Sequence, residues 1–151
     1  MSEANKPTAA DAQLILQLYD LRREAEMRKA RSYIGTEFWP QSADDILALM
    51  NSFPGQENAW FRQVVGYWDM AAALVQHGTI NADLFLAASG GEMYFMFAKV
   101  SPYLAEVREK SGQPNMLGNI EKLLTSNDAG KQRLAAVEAR VKSMGAGFAK
   151  K

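Results

Sequence analysis

Arg62 and Asp69 stand alone among two tryptophans, a phenylalanine, a tyrosine and a methionine in "WFRQVVGYWDM", residues 60–70. A guanidinium and a carboxylate in such surroundings form either a site that reads a ligand or part of a structural network. An unpaired charge in a packed interior is costly, so each must find a partner. On a helix the pair shares one face, about 10 Å apart along the axis. Helical side chains lean toward the N-terminus, which carries Arg62 away from Asp69. Partners are therefore expected on another helix, and "YDLRRE" offers Asp20 and Glu24 for Arg62, and Arg22 or Arg23 for Asp69. Gly66 lets a neighbouring backbone approach between the two charges. An inter-helix network is favoured over a catalytic or ligand site, and it implies that Asp69→Asn and Arg62→Gln each lower the melting temperature.

The rest of the chain is poor in reactive patterns. There is no cysteine, which removes disulfides, thiol catalysis and thiolate metal sites. The single histidine, His77, stands before Gly78 at an expected helix end, where it complements the helix dipole. No Glu-x-x-His or His-Glu-x-x-His pattern and no D-x-D-x-D-G loop occurs, so no metal site is expected. No serine lies in G-x-S-x-G. "SGGE" at 89–92 lacks the spacing of a phosphate loop and reads as a tight turn between helices. "EMYFMFAKV" at 92–100 is apolar on several faces, as a central helix or an adaptable surface for a partner or apolar ligand would be.

The elements that position these residues are helical throughout, since alternating β-branched runs are absent. One helix is expected over about 9–32, with a stripe of Leu14, Leu18, Leu21 and Ala25 widened by Ile15 and Tyr19. A short helix follows at about 43–51 with Ser42 as its cap, then a longer one at about 57–77 ending at Gly78. Asn81 caps a short helix over about 82–88, with Ile80 and Phe85 placed as a hydrophobic staple. The Gly90–Gly91 pair separates it from a helix over about 91–111, which Pro102 must bend or restart. Pro114 opens a helix to about Thr125, and Asn127 or Asp128 caps a last one to about Met144. The fold expected is an all-α single compact bundle of five to seven helices over 9–144, with a flexible start at 1–8 and a loose tail at 145–151. The helices over 9–32, 57–77 and 91–111 are expected at its centre.

Charge narrows the function classes. Residues 34–98 carry one basic side chain against seven acidic, and residues 99–151 carry ten basic against five. That basic excess is interrupted by Glu106, Glu109, Glu121, Asp128 and Glu138 and has no aromatic interleaving, so no nucleic-acid partner is expected. No apolar run is long enough for a membrane span. The polar start "MSEANKPTAADAQ" does not read as a secretory signal, and a cytoplasmic location is expected.

Three stretches, "LYDLRREAEMRKAR" (18–31), "NAWFRQVVGYWDMAAALVQHG" (58–78) and "LFLAASGGEMYF" (84–95), carry a likeness. They resemble a bacterial family of small uncharacterised all-helical proteins, a domain-of-unknown-function group of acidobacterial type. The resemblance covers most of residues 10–125, and implies a compact helical domain of unassigned role with no functional residue to carry over.

Negative chemistry and surplus aromatic surface point first to a non-enzymatic interaction or scaffold module that self-associates or docks to a protein partner. The alternative is a bundle that binds a small apolar ligand in a pocket between the helices at 57–77 and 91–111, closed by Arg62, Asp69 and Tyr94. An enzyme using paired carboxylates and a tyrosine ranks third. No cofactor is implied.

Overall fold

The computed structural model describes residues 6–149. Among them the chain is all helix and turn, packed as a compact bundle whose centre is formed by α4 (Gln56–Gln76) and α5 (Ala82–Val100).

The expected helix over 9–32 is two helices, α1 (Ala9–Leu21) and α2 (Ala25–Thr36). Local hydrogen bonding ends α1. Arg23 N–H and Glu24 N–H donate to the carbonyls of Asp20 and Leu21, a tighter turn than an α-helix makes, and the Glu24 carboxylate then caps α2 by accepting from Met27 N at 3.0 Å. The break lets α2 lie along α4 while α1 lies on α5. It also leaves α1 peripheral rather than central, with Leu16, Tyr19 and Leu21 exposed. At the other end of α1, Thr8 and Asp11 form a reciprocal capping box, and Asp11 Oδ1 accepts from Asn81 N at 2.7 Å, fastening the start of α1 to that of α5.

The helix α3 (Ala43–Met50) is capped by Ser42 as expected, and α4 stops before Gly78, whose φ of 78° suits a residue without Cβ. The Gly90–Gly91 pair does not break the chain, because α5 runs through it without interruption. Gly90 is instead buried, and a Cβ there would meet Arg133 Nη1 at 3.3 Å and Leu86 Cδ2 at 3.5 Å. Its missing side chain serves close packing of the last helix rather than a turn. Pro102 restarts the helix as expected, through a 3-10 turn at Ser101–Tyr103 that leads into α6 (Leu104–Ser111).

Pro114 opens a turn, not a helix, and α7 covers only Gly118–Leu124. The final helix, α8 (Asp128–Ala149), continues past Met144. Residues 145–149 are helical because Gly145 packs on Trp39 and Phe148 stacks on the same indole at 4.7 Å, with ring planes 11° apart. The other expected tail residues, Lys150 and Lys151, and residues 1–5 of the expected N-terminal arm lie outside the described residues. No helix of the described residues is long and apolar enough to cross a membrane.

Candidate functional site

The groups singled out in the sequence do not converge. Arg62 is exposed on α4, where its Nε donates to Asn58 Oδ1 at 2.9 Å and its guanidinium lies 5.4 Å from the Phe53 ring. It makes no hydrogen bond or ion pair to Asp20 or Glu24, because the face of α4 that carries it is turned to solvent. Asp69 does not meet Arg22 or Arg23 either. It accepts from Asn119 Nδ2 at 2.9 Å and from Ile120 N at 3.2 Å, which places a carboxylate on the first turn of α7, where the helix dipole favours it. The two charges thus have unequal tasks. Asp69→Ala is expected to cost about 1–3 kcal/mol by orphaning those donors, whereas Arg62→Gln should change stability by no more than about 0.5 kcal/mol. Chemical denaturation of the two variants checks this; equal losses would contradict it.

The remaining candidates are divided among three places. Arg22 sits at the α1–α2 break between rings, its guanidinium carbon 4.9 Å from the Tyr19 centroid and 5.6 Å from that of Trp68, with Nη1 3.8 Å from Glu92 Oε2. Arg31, which sequence reasoning did not select, forms the stronger link to Glu92: Nε and Nη2 donate to the carboxylate at 2.7–2.9 Å. Glu92 lies mid-helix, so it bridges α2 to α5 rather than complementing a helix start. Arg23 only approaches the Tyr19 ring, at 5.7 Å, and Asp20 accepts through its backbone carbonyl in the same turn. Tyr94 is buried on the side of α5 that meets α8, where the Arg133 guanidinium covers its ring at 4.3 Å. The pocket expected behind Arg62, Asp69 and Tyr94 is therefore not where the cavity lies.

A cavity of about 690 Å³ opens between the 39–41 loop, the end of α5 and the last turns of α8. Its walls are mostly small or flat: Trp39, Pro40 and Pro102 face Ala139, Gly145 and Ala146. The small residues on α8 leave the space beside the loop unfilled. Glu138, Lys142 and Tyr103 supply polar groups at its edge, with Glu138 Oε2 accepting from Ser101 Oγ at 2.9 Å.

Lys99 lies in the wall of this cavity and is 2% exposed. Its Nζ donates to Ile34 O at 2.5 Å and Gly35 O at 3.4 Å, two carbonyls of the last turn of α2. Against its remaining side stand the rings of Trp39, with the centroid at 3.6 Å, and Phe95, at 4.6 Å. Both contacts are of the cation–π kind. No carboxylate of the described residues is within ion-pair distance of Nζ. Burial pulls the Lys99 amine down from 10.5 to about 7. The carbonyls and ring faces act in the opposite sense by favouring the ammonium, which keeps the amine titratable rather than permanently neutral.

Sequence reasoning passed over Lys99. Its only local signal was a lysine closing an otherwise apolar run, four residues after Phe95 and hence on the same helical strip. Among the described residues no cluster of three or more histidine, aspartate or glutamate side chains is placed to hold a metal ion.

A family described as a domain of unknown function (DUF4760) matches residues 7–126, and the chain belongs to it. The matched segment ends just before α8, so the far wall of the cavity lies outside it. No curated protein and no solved structure matches the chain.

Proposed function

We propose that this family member is a small-ligand-binding bundle, and that its ligand occupies the cavity between the 39–41 loop, α5 and α8. The cavity carries this reading. Its volume of about 690 Å³ falls in the range of ligand pockets, roughly 300–1,000 Å³. Its walls have the composition expected of one, apolar and aromatic surface with a few convergent polar groups. The flat rings of Pro40 and Pro102 favour a planar or chain-like apolar body.

The test uses naphthalenemethanol, a flat uncharged probe, followed by isothermal calorimetry on the full chain. Binding is expected to the wild type and to be lost in Ala146→Phe, which fills the cavity from α8. Equal binding to both proteins would place the probe elsewhere and overturn the reading.

The interaction or scaffold reading now has narrower support. The rings of 60–70 and 92–100 that motivated it turn largely inward: Phe61, Trp68, Tyr94 and Phe97 are buried, and Trp60 packs on Tyr33 at 5.7 Å. One observation still favours it, the exposure of Leu16, Tyr19 and Leu21 on α1.

A further inference from the structure

From the placement of Lys99 we infer that the ligand is a monoanion, a carboxylate on an apolar body, with the Lys99 ammonium as its counter-ion. This rests on the cavity being the binding site, and adds the chemical class of what enters it. Three observations support it.

The first is the unbalanced charge. Lys99 and Lys142 contribute two cations to the cavity wall and Glu138 one carboxylate, so the wall is short of one negative charge when Lys99 is protonated. The second is geometry. An ammonium has three N–H donors; Ile34 O and Gly35 O take two, and the third has only ring faces before it. A charge-assisted hydrogen bond to a carboxylate is stronger than a contact with an indole face. The indole that must yield, Trp39, belongs to the loop between α2 and α3 rather than to a helix.

The third is linkage. Burial draws the amine toward neutral form, and a carboxylate beside it restores the ammonium, so binding above neutral pH takes up a proton. The other charged groups around Lys99 do not supply that carboxylate. Glu138 and Lys142 face the cavity from α8. Arg28, Arg31 and Glu92 line a separate recess beyond Ile34, Gly35 and Phe95, where Glu92 is engaged by Arg31.

Calorimetry with naphthoate and naphthalenemethanol separates the possibilities. Near neutral pH, naphthoate is expected to bind the wild type about tenfold tighter than the alcohol, the increment of one charged hydrogen bond. Lys99→Met should abolish that preference, so that the two probes bind the variant alike, and Lys142→Met should retain most of it. Equal affinities in the wild type would overturn the anion assignment while the cavity reading stands. Binding of neither probe would overturn both. A preference lost in Lys142→Met but kept in Lys99→Met would put the anion at the cavity mouth and remove Lys99 from the site. Should Lys99→Met fold poorly, proton uptake by the wild type, read from heats in buffers of different ionisation enthalpy, decides: naphthoate binding without uptake above neutral pH contradicts the inference.

Discussion

The stability of the wild-type protein is expected to rise with pH above neutrality, by about 1.4 kcal/mol per pH unit at its steepest. The rise should vanish in Lys99→Met. The folded protein releases the Lys99 proton from about pH 7, whereas the unfolded chain holds it to 10.5. Between these values the unfolded state binds more protons, and stability grows as pH increases. Below about 7 both states are protonated and the full cost of the buried ammonium is present. The carbonyls of Ile34 and Gly35 and the Trp39 ring favour that ammonium, which moves the onset of the rise upward without changing its sign. Tyr67 closes the window. Burial pushes its phenol from 10.0 up to about 12, so above pH 10 the unfolded chain ionises first and stability falls. Methionine is the informative replacement because it keeps the unbranched stem and removes the titrating group. Denaturant melts at several pH values between 7 and 10 check it; parallel profiles for the two proteins would contradict it.

Trp68→Ala is expected to destabilise the bundle by about 3–5 kcal/mol, a large part of the stability of a domain this size. Trp68 is 1% exposed at the centre of α4, set edge-on to Tyr67 at 4.9 Å and facing the Arg22 guanidinium at the α1–α2 break. Its loss leaves a cavity that the surrounding helices cannot fill without moving. Trp68→Phe should cost much less. Among the described residues the indole N–H has no hydrogen-bond acceptor, so phenylalanine keeps most of the volume while removing a buried donor that gains nothing. Equilibrium unfolding of both variants reads the contrast, and similar losses would mean that shape at this position matters more than the orphaned donor.

Local signals in the sequence were sufficient wherever one side chain and its own backbone decide the outcome. Ser42, Asn81 and Gly78 mark helix ends in the structure, as capping chemistry predicts. Reading failed where a distant partner decides. Gly90 and Gly91 carry the local mark of a turn, yet Arg133 and α8 use the missing side chain as packing space. Glu24 looks like a mid-helix residue until its carboxylate is seen to cap α2. Arg62 and Asp69 were rightly placed on one apolar helix, but periodicity does not say which strip of α4 faces water or that α7 arrives at Asp69. Lys99 was hidden for the same reason. Its setting is made by Ile34, Gly35 and Trp39, sixty or more residues away, and no spacing rule connects them.

The decisive measurement is a titration of the Lys99 side chain itself, followed through its Cε carbon chemical shift by NMR with Lys99→Met to assign the signal. The expected midpoint is about 7 in the free protein, moving upward on saturation with naphthoate as the carboxylate joins the ammonium. A midpoint near the ordinary lysine value of 10.5 that naphthoate leaves unchanged would show a solvated amine with no part in binding.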